Sequence, residues 1–179
     1  MERKILMIIA QKDFRDEEFQ EPRAILEKKG MKVTVASTAI GTAKGMFGMQ
    51  VIPDTTIDKV SPAEFDAVVV VGGSGSQTYL WNNLQVHKIV QSLHQRGGLV
   101  AAICISPVVL AKAGLLEGKK VTVFRTATTL NELKKVGALV SDAPVMADGG
   151  IITGKGPEAA REFGQKIAET VLRLHPQKL

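Results

Sequence analysis

The sequence predicts an α/β fold in which a mostly parallel central sheet is covered by helices on both faces. Short, continuously apolar runs such as KILMIIA (4–10) and AVVVVGG (67–73) are typical of strands that are buried on both faces. Amphipathic segments of helical length alternate with these runs, and several of them end at a glycine. Because this alternation is the pattern of βαβ units, we expect a parallel sheet and a single domain that spans residues 1–179.

The first half of the chain contains three predicted strands and one helix. The apolar run at 4–10 predicts the first strand, and 16–30 predicts a helix because acidic residues begin it and a glycine ends it. The β-branched segment at 32–38 predicts the second strand. Glycine and proline punctuate 42–60, which predicts a short hairpin or excursion, and the run at 67–73 predicts the third strand.

The second half continues the alternation. An Asp-Gly-Gly turn at 148–150 indicates a hairpin among the two or three short strands expected in 138–156. Helices are predicted where apolar residues recur at helical spacing, and strands where apolar runs are short. The remaining predicted elements are a helix at 82–97, a strand at 99–104, a helix at 107–114, a strand at 119–124, a helix at 128–137 and a helix at 157–174.

Composition excludes several classes of function. The net charge is +5, but the basic residues are scattered and aromatic residues make up only 4%, so the sequence predicts no nucleic-acid partner. A single cysteine excludes an intrachain disulfide. No apolar run approaches the roughly 18 residues of a membrane span, and the N-terminal run is too short for a signal peptide. We therefore expect a cytoplasmic protein with no membrane partner.

The sequence also predicts neither a metal site nor a bound cofactor. Two of the three histidines, His87 and His94, are too far apart on one predicted helix to bind one metal ion, and His175 lies near the end of the chain. The glycine-rich segment GGSGSQTYL (72–80) lacks the ending of a P-loop and the third glycine of a dinucleotide-binding loop.

Cys104 ends the predicted strand at 99–104 and has two interpretations. A buried cysteine is commonly a small apolar core residue. Alternatively, the small residues Ala102 and Ser106 on either side permit the sharp strand-to-helix turn of a nucleophile elbow. Ser106 can cap the following helix, and Pro107 suits its first turn. A thiol at that position faces the positive end of the helix dipole, which lowers its pKa.

Two further features follow neighbouring predicted strands. Gly72 and Gly73 either permit a turn with positive φ or expose a backbone N–H to an oxyanion beside the cysteine. The acidic residues of 13–21 favour a helix start, and one of them is a candidate to reach Cys104. No histidine adjoins the cysteine, so a Cys-His hydrolase pair is not visible in the sequence.

Six segments together resemble the ThiJ/PfpI superfamily, which includes the Parkinson-disease protein deglycase and the archaeal PfpI-type intracellular peptidases. They are DEEFQEP (16–22), KVTVAS (32–37), VVVVGG (68–73), GGLVAAIC (97–104), AGLLEGKKVT (113–122) and IITGKGPEAAREF (151–163). The resemblance implies a three-layer, flavodoxin-like sandwich with Cys104 at the nucleophile elbow. It also implies a protonated Glu18 that is hydrogen-bonded to the thiolate, oxyanion donors at the N–H groups of Gly73 and Ile105, and a homodimer or higher homo-oligomer.

The sequence departs from the superfamily at three positions, one of which is Ser106 in place of the usual glycine. PfpI-type peptidases carry a histidine directly after the cysteine, where this chain has Ile105, and the human-deglycase branch carries one in the strand after the elbow helix, where this chain has Phe124. We therefore expect a Cys-Glu enzyme of the glyoxalase III or deglycase type, acting on a small aldehyde or a modified protein. The alternatives are a non-enzymatic redox sensor or chaperone, and a peptidase that obtains its histidine elsewhere, with His87 as a candidate.

Overall fold

The computed structural model describes residues 1–174. Six helices lie in this part of the chain: α1 (Asp16–Lys28), α2 (Gly75–Tyr79), α3 (Leu84–Gln95), α4 (Pro107–Lys112), α5 (Ala127–Lys134) and α6 (Ala160–Arg173). The strands are β1 (Lys4–Ile8), β2 (Lys12–Phe14), β3 (Lys32–Ser37), β4 (Ala43–Gly45), β5 (Gln50–Val51), β6 (Thr55–Thr56), β7 (Ala67–Val70), β8 (Leu99–Ile103), β9 (Lys120–Val121), β10 (Leu139–Val140), β11 (Val145–Asp148) and β12 (Ile151–Gly154).

Seven strands form one central sheet in the order β11-β12-β8-β7-β1-β3-β6. Neighbouring strands are parallel except β11 and β12, which form an antiparallel hairpin. This hairpin turns at Gly149 and Gly150, which both have positive φ, so the predicted Asp-Gly-Gly turn is present. The α/β class and the mostly parallel sheet that the sequence predicts are confirmed.

Alternate residues of the central strands face opposite helix layers. Leu6 and Ile8 of β1 belong to the apolar cluster that includes α3 and α4, whereas Ile5 and Met7 belong to the cluster that includes α1 and α6. All four side chains are fully buried. Because both faces of the sheet are covered, the strands need apolar residues at every position, which explains their continuous apolar runs. The predicted three-layer sandwich is confirmed.

The region of β9 differs from the prediction. The strand predicted at 119–124 pairs only over β9, which joins β10 in a separate two-stranded sheet. Beyond β9, the N–H of Thr122 donates to the side-chain oxygen of Thr153 in β12, at 2.9 Å, instead of to a backbone carbonyl. A run of β-branched residues therefore extends the backbone here without continuing a strand ladder.

The predicted excursion at 42–60 contains the β4–β5 hairpin and then β6 at the edge of the central sheet. β4 also pairs with β2, a three-residue strand that the sequence does not predict because it is short and begins with two charged residues. This small sheet places its hairpin beside the start of α1.

The carboxyl ends of β1, β7 and β8 lie side by side in the middle of the sheet. The loop after β1 leads to α1, the loop after β7 contains Gly72 and Gly73, and the loop after β8 contains Cys104. Loops at the carboxyl ends of parallel strands form the ligand-binding edge of such sheets. The fold therefore brings together three chain segments that are distant in sequence.

The close packing of α6 on α1 provides a test of the fold. A Cβ at Gly164 of α6 would lie 2.8 Å from the Cα of Pro22 in α1. Alanine is ordinarily the better helix former, but in Gly164→Ala we expect the unfolding free energy to fall by about 1–2 kcal/mol because the two backbones must separate. Urea denaturation measures this change. Gln165→Ala, at the adjacent exposed position, is the control with no expected loss, and a stabilised Gly164→Ala would contradict the close packing.

Candidate active site

Cys104 lies at a strained turn between β8 and α4. Its φ is +65°, which residues other than glycine rarely adopt. Two backbone hydrogen bonds hold it there: the Cys104 N–H donates to the Gly154 carbonyl at 2.9 Å, and the Cys104 carbonyl accepts from the N–H of Phe124 at 2.8 Å. The strand-to-helix elbow that the sequence predicts is therefore present. The left-handed backbone conformation of Cys104 lowers the free energy of unfolding by about 1–2 kcal/mol, which the surrounding contacts must offset.

Ser106 does not cap α4, contrary to the prediction. Its backbone is already helical, with φ −74° and ψ −17°, and its side chain makes no capping bond. A capping side chain requires an extended backbone, which the tight elbow does not allow. Instead, Ser106 Oγ donates to the Val71 carbonyl at 2.7 Å and lies 2.7 Å from Ser76 Oγ. The hydroxyl thus joins the elbow to the loop after β7.

Gly72 leaves the space in which Cys104 and Glu18 meet. A Cβ at Gly72 would lie 2.5 Å from the Cβ of Cys104 and 2.6 Å from Oε1 of Glu18. No residue with a side chain fits this position without displacing one of the two. The sequence indicates a glycine-dependent turn here but does not show that Gly72 is required by close packing rather than by φ.

Gly73 occupies the turn with positive φ that the sequence predicts. Its φ is +101°, and a Cβ would lie 2.3 Å from the backbone nitrogen of Arg15, so only glycine fits. Its N–H and that of Ile105 are close enough to the Cys104 sulfur to lower the pKa of the thiol. The structure thus brings both predicted oxyanion donors to the thiol, and their catalytic role stays a prediction.

Glu18 is the one member of the acidic segment whose carboxyl faces Cys104. It lies in the first turn of α1 and is fully buried. Its two oxygens lack a well-aligned hydrogen bond with other described residues, but the Cys104 thiol is close enough to lower its pKa by hydrogen bonding. Burial is the larger effect, and it raises the pKa of Glu18 from 4.5 to about 8.

The neighbouring acidic residues have other partners. Asp16 accepts hydrogen bonds from the N–H groups of Phe47 and Met49, at 3.2 and 3.0 Å, and so holds the β4–β5 hairpin against α1. Glu17 pairs with Arg15 at 2.5 Å, and the Arg15 guanidinium lies 4.5 Å from the centre of the Phe47 ring. These contacts form a rim beside the buried carboxyl.

The expectation of a lowered Cys104 pKa is wrong. Burial and the negative charge of the Glu18 carboxylate raise the pKa of the thiol to about 12, although the N–H groups of Gly73 and Ile105 oppose this rise. The helix dipole is weak here because α4 has only six residues. The thiol and the carboxyl are coupled, so ionisation of one opposes ionisation of the other.

No described histidine is among the groups that shift the pKa of the Cys104 thiol. His87 is buried, and its Nε2 lies 2.7 Å from the carbonyl of Trp81. His94 lies in the last turn of α3, and His175 is outside the described residues. Phe124, at the position where a family branch carries histidine, is half exposed and borders Gly156.

Residues 1–174 lack two kinds of feature. No group of three His, Cys, Asp or Glu side chains in this part of the chain is arranged to hold a metal ion. No helix there is both long and apolar enough to cross a bilayer.

Comparison with known proteins agrees with this fold. Residues 3–170 match the DJ-1/PfpI family. An uncharacterized protein from Methanocaldococcus jannaschii is 47% identical over 168 residues, which cover 94% of this chain and 82% of that protein. A protein named deglycase from Pyrococcus horikoshii is 34% identical over 154 residues, covering 86% of this chain and 90% of that protein. The crystal structure of a ThiJ/PfpI domain protein from Brachyspira murdochii superposes with a TM-score of 0.92 at 31% identity, covering 98% of this chain and 100% of that one.

The raised pKa of Glu18 predicts a pH-dependent cost to stability. The carboxyl ionises near pH 4.5 in the unfolded chain but near pH 8 in the folded protein, so wild-type stability falls as the pH rises between these values. Glu18→Gln cannot ionise. Relative to wild type, its unfolding free energy should therefore rise by a few kcal/mol across this window, since one pKa unit corresponds to about 1.4 kcal/mol.

Urea denaturation at both ends of the window measures this difference. Glu17→Gln, a change at the adjacent and partly exposed carboxylate, is the control and should show little pH dependence relative to wild type. A constant gap between wild type and Glu18→Gln at both pH values would contradict the raised pKa.

Proposed function

The chain belongs to the DJ-1/PfpI family, and from that premise we propose that it is a cysteine-dependent enzyme that acts on small reactive carbonyls, of the glyoxalase III or deglycase type. The observation that carries the proposal is the meeting of the Cys104 thiol, the buried Glu18 carboxyl and two backbone N–H donors around Gly72. Similarity to proteins named deglycase supports the same class of substrate.

The reactive state of the site is a Cys104 thiolate beside a protonated Glu18. When the coupled pair loses one proton, the remaining negative charge rests on sulfur or on carboxylate. The N–H groups of Gly73 and Ile105 lower the pKa of the thiol, whereas the thiol and the positive charge of Arg15 lower the pKa of the Glu18 carboxyl. Because the pKa of the carboxyl is about 8 and that of the thiol is about 12, the thiolate is the minor of the two forms, and the two N–H donors at the sulfur increase its share.

The chemistry requires only these groups and water. The thiolate adds to the aldehyde carbon of a 2-oxoaldehyde, and Glu18 protonates the new oxygen, which the N–H groups of Gly73 and Ile105 hold. The Glu18 carboxylate then removes the hydrogen from the former aldehyde carbon as a proton and returns it to the adjacent carbon, while the proton on the first oxygen passes to the oxygen of that adjacent carbon. The first carbon is thereby oxidised to a thioester and the second is reduced to an alcohol. Water cleaves the thioester, which releases a 2-hydroxy acid and restores the thiol.

The same addition would serve a deglycase. An aldehyde held on a protein thiol or amine as a hemithioacetal or aminocarbinol is in equilibrium with the free carbonyl, so the thiolate of Cys104 would capture it in the same way. Such a site functions where thiols remain reduced, which favours the cytoplasm. Assembly into a homodimer or higher homo-oligomer stays a prediction.

Methylglyoxal turnover tests the proposal. Wild-type protein should consume methylglyoxal and form lactate, whereas Cys104→Ala should fall to the background rate because no covalent adduct forms. Glu18→Gln should lower kcat by about a hundredfold or more through loss of the proton carrier. Glu17→Gln makes the same loss of charge at an adjacent, partly exposed residue that does not contact the thiol, so this control variant should retain activity. Equal inactivity of wild type and Cys104→Ala would refute the proposal.

Oxidation of the same thiol is a second candidate function, in which the protein acts as a redox sensor. Cys104 is 8% exposed, and two N–H groups and Glu18 surround its sulfur. These donors would stabilise a sulfinate, formed when the thiol takes one oxygen atom from each of two peroxide molecules with release of water. The peptidase alternative is not favoured, because His87 bonds to the Trp81 carbonyl.

Mild peroxide treatment followed by mass spectrometry tests the sensor. Cys104 should gain two oxygen atoms and stop there in wild type, whereas in Glu18→Gln oxidation should continue to the sulfonate because the charge-assisted donor is missing. An unmodified Cys104, or the same mixture of products in both proteins, would argue against a sensor.

A further inference from the structure

The two amide donors at the thiol belong to separate segments of the chain. Gly73 lies in the loop after β7, and Ile105 lies in the elbow after β8. A pair of donors stabilises developing negative charge only when both are fixed at the correct spacing. The backbone hydrogen bonds of Cys104 go to Gly154 and Phe124 and not to the glycine loop, so other contacts must fix the spacing of the two segments.

A buried hydroxyl chain makes the first connection. Ser106 has one hydroxyl proton and donates it to the Val71 carbonyl, so Ser76 must donate to Ser106. Both serines are fully buried. Ser76 is itself anchored to the glycine loop, because its N–H donates to the Gly73 carbonyl at 3.0 Å.

A tryptophan makes the second connection. Trp81 Nε1 donates to the carbonyl of Ile105 at 3.0 Å, and the indole is 4% exposed. The backbone N–H of Trp81 donates to the Ser76 carbonyl at 3.0 Å, and its carbonyl faces His87 Nε2 at 2.7 Å. The backbone of Trp81 is thus fixed by two hydrogen bonds, and its indole contacts Ile105, which supplies one of the amide donors.

We propose that Ser76, Ser106 and Trp81 are positioning residues that fix the spacing of the Gly73 and Ile105 amides at the Cys104 sulfur. We call these three side chains the brace. The brace crosses between the two segments twice, at the two residues that directly follow the strained Cys104, and so opposes relaxation of its positive φ. The catalytic consequence rests on the proposed function, whereas the effect on the thiol does not.

Three variants test the brace against a matched control. Ser106→Ala and Ser76→Ala each remove one hydroxyl, and Trp81→Phe removes the indole N–H while keeping an aromatic ring. Ser37→Ala is the control, because Ser37 is also fully buried and its Oγ donates to a backbone carbonyl, that of Ile9, at 2.7 Å. All four changes remove a buried hydrogen bond, so a purely structural role would affect them alike.

The first readout is the pH dependence of Cys104 alkylation by iodoacetamide. In the brace variants the thiolate loses a well-placed amide donor, so the midpoint should rise by about half a pH unit or more. In Ser37→Ala the midpoint should match wild type. Wild-type midpoints in the brace variants, or an equal rise in the control, would overturn the proposal. If Trp81→Phe does not fold, the two serine variants decide the outcome.

The second readout is turnover of methylglyoxal. In the brace variants kcat should fall about tenfold or more while KM changes less than about twofold, because the donors act on charge that develops during the reaction. An unchanged kcat in the brace variants of an active enzyme would overturn their catalytic role. If wild type lacks turnover but the alkylation midpoints shift, the proposed function fails and the brace stands.

Discussion

The site depends on the burial of one carboxyl against one thiol, in a space that exists only because residue 72 has no side chain. A Cβ at Gly72 would overlap both Cys104 and Glu18. Water cannot stabilise a charge in this space, so burial raises the pKa of each group. The charge that remains near neutral pH depends on the few hydrogen-bond donors that the backbone provides.

The fold supplies those donors at the ends of adjacent strands. β1, β7 and β8 are parallel neighbours, and the chain segments that follow them bring Glu18 in α1, Gly73 and Cys104 to the same edge of the sheet. The elbow then holds Cys104 at a φ that an isolated chain would avoid. Strain of this kind persists only where the surrounding contacts determine the backbone completely. The hydrogen bonds from Ser106 and Trp81 are contacts of this kind.

The sequence predicts the architecture well because the buried strands are continuous apolar runs and the helices end at glycines. It also places Cys104, Glu18, Gly73 and Ile105 together, the cysteine by its strand-to-helix pattern and the others through the family resemblance. The pKa of the thiol could not be predicted in this way, because burial and a charge from a distant helix dominate it.

The side-chain contacts of the elbow are also invisible in the sequence. The sequence pattern predicts that Ser106 caps α4, but the backbone of Ser106 is helical and its hydroxyl donates to the Val71 carbonyl. Trp81 lies more than twenty residues before the elbow, and no local pattern links its indole to Ile105. Contacts of this kind arise from tertiary packing, which short-range patterns do not encode.

The protonation state of Glu18 tests the account most directly. The measurement is the carboxyl carbon-13 resonance of Glu18 in labelled wild-type protein, assigned by its absence in Glu18→Gln and followed through a pH titration. The account predicts a carboxyl that stays protonated at neutral pH, with a midpoint of about 8. A midpoint near the ordinary value of 4.5 would contradict it, since an ionised Glu18 has no proton to donate to the thiolate or to the substrate oxygen.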